Sequence, residues 1–438
     1  MSTIQRVLAG NITGMIGAAV RTCGFVETVR DQKHRQFIVL RDGSGTVQLI
    51  HEKNPEQAKL AAEIAALRVG SAIEVSGTVV ASPQVKLGGV EVVIDTLTVH
   101  GPAFEQLPVT HDSSLELRMD YRHVSLRFPE SQLIMRVQTT MEWAMRQYWH
   151  NLGFVEIHSP KLMGTASESG AELFSLPYFG NRTAYLAQSP QFYKQMAMVG
   201  GIERVFEIGP VFRANPSFTS RHDTEFTSVD VEIAWVTSHE DVMSLEEHWL
   251  VSVLQAIKEA HGDEIERVFG AEVVIPELPF PRVTLERARE ILAGRGHMIA
   301  HKADLDPAGE RLLAQYIAKE YGHEFVFVTD YPVSVRAFYH MRQENDPETT
   351  KSFDLLWKGV EVTTGAQREH RLAQLRAQAI EKGITPESLA DYLGFFHHGC
   401  PPHGGFGAGL TRLLMLLLNR DNVREVTYVY RGPNRLRP

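Results

Sequence analysis

The chain has 438 residues, of which 43% are hydrophobic and 22% are charged, and its formal net charge is -9. These values are typical of a globular protein with two or three domains, and they disfavour a protein that simply coats nucleic acid. A local basic patch can still attract phosphates. The two cysteines, Cys23 and Cys400, form neither a disulfide framework nor a zinc ribbon, and glycines and polar residues interrupt the apolar stretch near the N-terminus. We therefore expect a cytoplasmic protein.

The first hundred residues predict a small β-domain. Stretches rich in Val, Ile, Thr and Phe are separated by turn signals such as Asp42-Gly43-Ser44-Gly45, and a helical stretch, Pro55–Leu67, lies between the third and the fourth. This is the order of an OB barrel, which commonly binds oligonucleotides, although other small barrels have similar patterns. The predicted strands are Val20–Val29, Gln36–Arg41, Val47–His51, Ala72–Val80 and Val90–Val99.

The rest of the chain predicts a second, larger domain. We assign residues 1–103 to the barrel, 104–128 to a linker with prolines and polar residues, and 129–438 to the second domain. A helix is predicted over Ser131–Tyr148, and the segments that follow mix helices and strands without regular βαβ alternation. That order predicts an α+β fold built on an antiparallel sheet.

Two strands of this domain, Val205–Arg213 and Glu225–Trp235, are joined by a polar loop that contains Arg221. Strand alternation puts Asp230 and Glu232 on one face, with apolar residues on the other. Carboxylates and arginines together could hold a zwitterionic substrate beside a phosphate. The alternative is a solvated sheet face with surface ion pairs, and the pattern alone favours that alternative.

A second hairpin is predicted around the turn Lys358-Gly359. That turn pairs Leu356 with Glu361 and Asp354 with Thr363, so the two carboxylates lie diagonally on one face, roughly 7–8 Å apart at the backbone. Two carboxylates with few other ligands suit Mg²⁺ that arrives with the phosphates of a nucleotide. The hairpin therefore predicts a magnesium site.

A glycine-rich segment, His403–Arg412, precedes an apolar run, Leu413–Leu418, that predicts a buried helix. Arg412 falls in the first turn of that helix, where the backbone favours an anion. The segment matches neither a Walker A loop nor the dinucleotide fingerprint, and a glycine-rich turn alone indicates packing more often than phosphate binding. The three histidines and one cysteine between positions 397 and 403 match no standard zinc spacing and indicate a turn.

Together and in this order, these segments resemble the signature motifs of class II aminoacyl-tRNA synthetases, and more narrowly the short, archaeal-type aspartyl-tRNA synthetases of subclass b. The resemblance covers nearly the whole chain: Phe154–Pro160 resembles motif 1, Val211–Glu232 motif 2 and Gly404–Arg412 motif 3. It implies an anticodon-binding OB barrel, a class II catalytic domain whose antiparallel sheet is flanked by helices, and a homodimer with Pro160 at the interface.

The resemblance also implies how aspartate is held. The segment Ala187–Lys194 resembles the aspartate-specific form, in which Lys194 and Arg368 clamp the side-chain carboxylate of the substrate. Such a clamp rejects asparagine, because a neutral amide leaves the cations unpaired. Ser167–Gly170 corresponds to a mobile loop that closes over the amino acid in the family. The implied aspartate-binding residues are Glu168, Ser189, Gln191, Lys194, Asp230 and Arg368.

For ATP, the resemblance implies that Arg213 bridges the α-carboxylate and the α-phosphate, with Arg221 and Arg412 on the distal phosphates. Arg213 and Arg412 are then the catalytic residues, and Asp354 and Glu361 hold Mg²⁺. Positioning and electrostatics suffice for this chemistry, and no covalent nucleophile is needed. The implied ATP-binding residues are Arg213, Asn215, Arg221, His222, Phe226, Glu361, Gly405, Gly409 and Arg412.

In the barrel, Arg30, Phe37 and Gln48 match positions that read anticodon bases in the family, and Phe37 could stack on a splayed base. Without the resemblance, Phe37 reads as barrel core. Asn215 stands where motif 2 usually has a glutamate that contacts adenine. Glu27 stands where the family has tryptophan or histidine, which are linked to strict and relaxed anticodon reading respectively.

The function implied by the resemblance is ATP-dependent activation of L-aspartate and its transfer to tRNA(Asp). Whether tRNA(Asn) is charged as well stays open, and in that case an amidotransferase is the implied partner. Three alternatives stay open. An asparaginyl-tRNA synthetase is disfavoured by Lys194. A paralogue that binds nucleotide or activates aspartate without charging tRNA is motivated by Asn215. An ATP-dependent ligase that uses aspartate but no tRNA is disfavoured by the barrel.

Overall fold

The structure is a computed structural model that describes residues 5–165, 173–217 and 219–438. It contains two compact units, one up to Leu133 and one from Ile134 to Arg437. The predicted limits of the linker, 104 and 128, stay a prediction. In the part of the chain that the structure describes, no helix combines the length and the apolar character needed to cross a membrane.

The first unit contains a closed five-stranded barrel, as the OB prediction required. Its elements are β1 (Ala19–Asp31), β2 (Arg35–Asp42), β3 (Gly45–Glu52), α1 (Ala58–Ala65), β4 (Ala72–Ala81) and β5 (Val90–Gly101). The strand order is β1-β2-β3-β5-β4, in which only β3 and β5 pair in parallel. Alternate residues of β2, such as Ile38 and Leu40, point into an apolar core because strand side chains alternate between faces.

Beyond the barrel, two short helices lead to a long one whose residues 129–151 include the predicted helix. These are α2 (Leu115–Asp120), α3 (Arg122–Ser125) and α4 (Pro129–Asn151). Ser114 caps α2 by accepting a hydrogen bond from Leu117 N. Leu133, Val137 and Met141 of α4 are buried at the spacing of one helical face.

The second unit is built on an eight-stranded sheet flanked by helices. The strands of this unit are β6 (Val155–Glu156), β7 (Leu162–Met163), β8 (Ser175–Tyr178), β9 (Arg182–Leu186), β10 (Arg204–Phe212), β11 (Glu225–Ala234), β12 (Arg282–Thr284), β13 (Phe325–Thr329), β14 (Ser352–Trp357), β15 (Val360–Arg368) and β16 (His403–Gly409). The helices are α5 (Gln191–Val199), α6 (His239–Phe269), α7 (Leu285–Ala293), α8 (Pro307–Tyr321), α9 (Leu372–Glu381), α10 (Ala390–Phe395), α11 (Leu410–Leu417) and α12 (Val423–Val426).

The strand order of the large sheet is β12-β13-β14-β15-β16-β11-β10-β6, and β7, β9 and β8 form a separate small sheet. The six strands from β13 to β10 are antiparallel, and a short parallel strand lies at each edge. The predicted α+β fold with an antiparallel sheet is therefore confirmed.

The predicted turn Lys358-Gly359 joins β14 to β15, and both residues have positive φ, 50° and 77°, as a type I′ hairpin requires. The predicted pair Leu356–Glu361 is present. The predicted pair Asp354–Thr363 is wrong, because the register shifts between Leu355 and Leu356, and Asp354 lies opposite Thr364.

The glycine-rich segment is not a turn, as the sequence suggested, but the strand β16 in the middle of the sheet, between β15 and β11. A Cβ on Gly405 would overlap the carbonyl of Val231 and the carboxylate of Glu232. A Cβ on Gly404 would lie 2.7 Å from the carbonyl oxygen of Ala366. Glycine is required here because the strand passes close to neighbouring backbone and to a buried charge.

Candidate active site

One cavity of the second unit lies over β11, β15 and β16 and collects most of the predicted site residues. Lys194 comes from α5, Arg221 from the loop between β10 and β11, and Arg412 from the first turn of α11. Among the predicted residues, those that line it are Ser189, Gln191, Lys194, Arg213, Asn215, Arg221, His222, Phe226, Asp230, Glu361, Arg368, Gly409 and Arg412. Gly405 and Asp354 are not among the lining residues, and Glu168 with its loop lies outside the described residues.

At one end of the cavity, Lys194 is fully buried and saturated with acceptors. Its Nζ lies 3.0 Å from Asp230 Oδ1 and 3.3 Å from Glu232 Oε2. It also donates to the carbonyls of Val231 and Phe406, both at 3.3 Å. A buried ammonium requires such partners, because an unpaired charge away from water is very costly.

Arg368 completes this ion cluster from the neighbouring strand β15. Its Nε donates to Glu232 Oε1 at 3.0 Å, and its Nη2 donates to the carbonyl of Gly405 at 2.9 Å. Burial alone would raise the pKa of Glu232, yet Arg368 and Lys194 hold that pKa below its ordinary value. Lys194 and Arg368 together with the two carboxylates, Asp230 and Glu232, therefore form a buried group with no net charge.

The alternative of a solvated sheet face is wrong, because Asp230 and Glu232 are only 3% and 0% exposed. Glu232 was not among the predicted aspartate-binding residues, although it pairs with both cations of the implied clamp. The sequence could have indicated this role, because Glu232 lies two positions after Asp230 and therefore on the same face of the strand.

A second layer of hydrogen bonds lies beneath Gln191, a predicted aspartate-binding residue. Gln191 Nε2 donates to Gln195 Oε1 at 3.1 Å, and the Tyr392 hydroxyl donates to the same oxygen at 2.9 Å. Gln195 Nε2 then faces His403 Nε2 at 2.9 Å, so this nitrogen accepts, while His403 Nδ1 faces the Pro401 carbonyl at 2.9 Å. Burial lowers the pKa of His403, which agrees with a neutral imidazole.

At the other end of the cavity, the cations are more open to solvent. Arg213 is exposed, and its guanidinium carbon lies 5.3 Å from the centre of the Phe226 ring. Arg412 Nη1 donates to the Glu361 carbonyl at 2.9 Å and lies 3.6 Å from its carboxylate. Solvent-accessible guanidinium groups that line the same cavity suit a multiply charged anion such as a polyphosphate.

Two polar residues of the loop between β10 and β11 also line the cavity. Asn215 Oδ1 accepts a hydrogen bond from Ser217 N at 2.8 Å, so it shapes its own loop. Asp223, which the sequence did not single out, lines the cavity and accepts from Thr411 Oγ1 at 3.2 Å. Burial raises the pKa of Asp223 to about 7. The wall therefore carries an acidic group beside the helix that bears Arg412.

The predicted magnesium residues, Asp354 and Glu361, lie on adjacent strands of the hairpin. Asp354 pairs with Arg336 at 2.7 Å, while its Oδ1 is buried without a hydrogen-bond partner. Burial raises the pKa of Asp354, and the charge of Glu361 adds to that effect against the opposing Arg336. Among the described residues, no group of three or more acidic, histidine or cysteine side chains forms a metal site. The orphaned carboxylate oxygen fits a cation whose other ligands are phosphate and water oxygens.

In the barrel, the three predicted anticodon residues lie together on β1, β2 and β3. Arg30 Nη2 donates to Gln48 Oε1 at 3.3 Å, and the Arg30 guanidinium lies 5.4 Å from the centre of the Phe37 ring. Gln48 Nε2 donates to Glu91 Oε2 at 2.9 Å. Phe37 is half-buried and points away from the core that Ile38 and its alternate neighbours form, so the barrel-core interpretation of Phe37 is wrong.

The second unit has a surface groove lined by exposed apolar residues, and the predicted interface residue Pro160 is also exposed. Leu152, Val155 and Ile202 line this groove and are 37%, 47% and 39% exposed. Val155 belongs to β6, which is an edge strand of the large sheet within the residues that the structure describes. Apolar side chains beside an open strand edge are typical of an interface.

Residues 114–430 match the family described as tRNA synthetases class II (D, K and N), and residues 20–99 match the OB-fold nucleic acid binding domain. The chain therefore belongs to the class II tRNA synthetases.

The curated proteins that this chain resembles are named as ligases that use aspartate. The aspartate–tRNA(Asp/Asn) ligase of Aeropyrum pernix is 41% identical over 97% of this chain and 96% of its own length. The aspartate–tRNA(Asp) ligase of Pyrococcus abyssi is also 41% identical, over 96% of this chain and 97% of its own length. The aspartate–tRNA(Asp/Asn) ligase of Deinococcus radiodurans is 39% identical over the whole of both chains.

Solved structures with similar folds include both amino-acid specificities. Asparaginyl-tRNA synthetase of Pyrococcus horikoshii, complexed with asparaginyl-adenylate, matches over all of both chains with a TM-score of 0.91 and 32% identity. Aspartyl-tRNA synthetase of Entamoeba histolytica matches all of this chain and 93% of its own, with a TM-score of 0.89 and 30% identity. The fold is thus shared by enzymes for both amino acids, and the choice between them depends on the site.

Proposed function

We propose that this chain activates L-aspartate with ATP and transfers the aspartyl group to tRNA(Asp). The observation that carries the proposal is the buried cluster of Lys194, Arg368, Asp230 and Glu232 at one end of the cavity. The substrate ammonium pairs with Asp230, and Lys194 and Arg368 can then turn to the side-chain carboxylate of aspartate. An asparagine amide would offer no charge to compensate the desolvation of those cations. The names of the curated relatives support the same amino acid.

In the first step, an oxygen of the substrate α-carboxylate attacks the α-phosphorus of ATP, and the bond to the pyrophosphate leaving group breaks. Arg213 stabilises the charge that develops between the carboxylate and the α-phosphate, while Arg221 and Arg412 hold the distal phosphates. Asp354 and Glu361 would hold Mg²⁺, which would supply neutralisation of the charge on the pyrophosphate. In the second step, a hydroxyl of the terminal ribose of tRNA attacks the aspartyl carbonyl and AMP leaves.

The barrel reads the anticodon through Arg30, Phe37 and Gln48, which lie together on β1, β2 and β3. A second candidate function is charging of tRNA(Asn) as well, and the relatives from Aeropyrum pernix and Deinococcus radiodurans favour it by name. Glu27, at the position linked to anticodon breadth, pairs with Arg41 on the barrel. If tRNA(Asn) is charged, an amidotransferase is the partner that converts the product.

We further propose that the enzyme is cytoplasmic and forms a homodimer. The partner subunit would cover the groove lined by Leu152, Val155 and Ile202, together with the outer edge of β6. Glu203 and Arg204 line the same groove, so apolar and charged side chains lie together there. Subunit interfaces combine apolar contacts with polar and charged groups in this way. Sedimentation of the purified chain measures its mass directly, and a monomer at micromolar concentration would contradict this part of the proposal.

The experiment that tests the function is charging of tRNA(Asp) and tRNA(Asn) transcripts with labelled aspartate or asparagine, ATP and Mg²⁺. Aspartate on tRNA(Asp) alone supports the first candidate, and aspartate on both transcripts supports the second. Asparagine charging would overturn the argument from Lys194. Exchange of pyrophosphate into ATP with aspartate but without charging would leave an aspartate-activating paralogue as the function.

A further inference from the structure

Glu310 is a buried carboxylate that none of the sequence motifs contains. It lies in the first turn of α8, whose N-terminus Asp306 caps by accepting hydrogen bonds from Ala308 N and Gly309 N. Glu310 occupies the helix face of Leu313 and Ile317, which are fully buried in an apolar cluster, and it is itself only 8% exposed. An acidic residue at a core-facing helix position requires a partner.

That partner is Arg221, which lies 89 residues earlier in the motif 2 loop. Glu310 Oε2 accepts a hydrogen bond from Arg221 Nη1 at 2.5 Å, and the two side chains are 11% and 17% exposed. The Arg221 carbonyl in turn accepts from Arg412 Nε at 3.4 Å, and Arg412 Nη1 donates to the Glu361 carbonyl at 2.9 Å. Glu310 therefore begins a chain of contacts along the phosphate end of the cavity.

Arg221 lines the cavity and Glu310 does not, so the carboxylate holds the guanidinium from behind. A guanidinium has five N–H groups in one plane, and fixing one terminal nitrogen fixes the directions of the others. Burial raises the pKa of Glu310 to about 7 even though Arg221 lowers it. The protein thus tolerates a costly carboxyl at a position that an apolar residue would fill at less cost.

We propose that Glu310 is a positioning residue that orients Arg221 toward the β- and γ-phosphates of ATP and toward pyrophosphate. This inference rests on the proposed function, since it needs a nucleoside triphosphate in the cavity. Glu310 touches no substrate, so it acts on the distal phosphates alone and through Arg221 alone. Ligands that lack these phosphates do not depend on it.

The test compares Glu310→Gln with Glu320→Gln, which changes an exposed carboxylate of the same helix. The assay is aspartate-dependent exchange of pyrophosphate into ATP, with AMP as a competitive inhibitor. In Glu310→Gln we expect the KM values for ATP and pyrophosphate to rise about tenfold, because the variant loses one charge-assisted hydrogen bond to Arg221. The inhibition constant of AMP and the KM for aspartate should stay within about twofold. Glu320→Gln should resemble the parent chain.

The variant Arg221→Ala tests whether Glu310 acts on the phosphates through Arg221. In that background Glu310→Gln should add no further change, because its effect passes through the missing guanidinium. Additive effects would overturn the proposal, and so would an equal weakening of ATP and AMP, which indicates a general distortion of the cavity. Unchanged KM values for ATP and pyrophosphate in Glu310→Gln would also overturn it.

A thermal unfolding scan shows whether Glu310→Gln is folded. If it is not, Glu310→Asp keeps the charge on a side chain one methylene shorter, and we expect its KM for ATP to rise about threefold with AMP inhibition unchanged. No ATP-selective change in that variant would overturn the proposal. A parent chain without any aspartate-dependent exchange would defeat the proposed function, and this inference with it. An active parent whose variants show no selectivity would defeat the inference alone.

Discussion

The two ends of the active-site cavity solve the problem of charge in different ways. At the amino-acid end, Lys194 and Arg368 are 0% and 3% exposed and already paired with carboxylates. At the phosphate end, the side chains of Arg221 and Arg412 are 17% and 22% exposed. The first arrangement distinguishes a carboxylate from an amide, because its desolvated cations accept no neutral substitute. The second receives a highly charged ligand, for which accessible cations suffice.

Two glutamates of the second unit are equally buried but have pKa values shifted in opposite directions. Glu232 has two cations within reach, and they hold its pKa below the ordinary value despite its burial. Glu246 on α6 is equally buried but has the hydroxyl of Thr363 as its hydrogen-bond donor, and burial raises its pKa to about 8. Burial by itself therefore does not set the protonation state, and the partners decide whether a buried acid is charged.

The largest effect is expected from removing a cation at the amino-acid end. Lys194→Met removes the ammonium group beside Asp230 and leaves Glu232 paired with Arg368. We expect the free energy of unfolding to fall by about 3–5 kcal/mol, the typical result of breaking a buried pair. We also expect aspartate activation to fall about 10³-fold or more. Denaturant unfolding and pyrophosphate exchange measure the two effects.

Adding Glu232→Gln to Lys194→Met is the matched control for that prediction. The double variant removes one charge of each sign, so it should recover part of the lost stability without recovering activity. A single variant as stable as the parent chain would contradict the view that this end of the cavity is a closed ion cluster.

A smaller effect, on rate and not on stability, is expected at the phosphate end. Arg213 is exposed, so Arg213→Gln should change the free energy of unfolding by no more than about 0.5 kcal/mol. Its loss from the transition state should lower kcat for adenylate formation about 10²–10³-fold. Arg376→Gln, at an exposed arginine of α9, is the control. Strong destabilisation by Arg213→Gln would remove the contrast between the two ends.

Two glycines of β16 differ in the space that is available for a side chain, one near the amino-acid end of the cavity and one near the phosphate end. A Cβ on Gly405 would overlap Val231 and Glu232, whereas a Cβ on Gly409 would meet the Arg412 side chain at 3.7 Å, an ordinary contact. We expect Gly405→Ala to lower the free energy of unfolding by about 3 kcal/mol, and Gly409→Ala to change it by less than about 1 kcal/mol. Equal losses in a urea titration would show that the strand is packed alike at both ends.

The last comparison concerns Glu246 and the dependence of stability on pH. Its pKa rises from 4.5 to about 8 on folding, so between these values the folded chain binds more protons than the unfolded chain. Stability from this group is therefore present below pH 4.5 and is lost as the pH rises toward 8, by at most about 1.4 kcal/mol per pH unit.

Glu246→Gln should remove that slope, while Glu266→Gln, at an exposed residue of the same helix, should retain it. Denaturant unfolding between pH 5 and 8 measures the difference. Glu232 has the opposite sign, because its lowered pKa contributes stability above the ordinary value and loses it as the pH falls. An identical slope in the parent chain and Glu246→Gln would show that Glu246 ionises normally.

The sequence by itself determined the local elements and the order of the site motifs. The five barrel strands and the hairpin at Lys358-Gly359 follow from side-chain alternation and turn residues, which act over a few positions. The resemblance of three segments to synthetase motifs identified most of the predicted site residues that the structure brings together in one cavity. The register at Asp354 was missed, because a bulge depends on the packing of the whole sheet.

Only the tertiary structure decided which charges are buried and what each one contacts. Arg368 and Glu232 lie 136 residues apart, and Arg221 and Glu310 lie 89 residues apart. For the same reason the sequence suggested a glycine-rich turn where the chain forms a central strand beside Glu232. A local pattern records the spacing of polar residues along an element. Whether those residues meet water or a distant partner depends on how the elements pack, and that decides the cost of each charge.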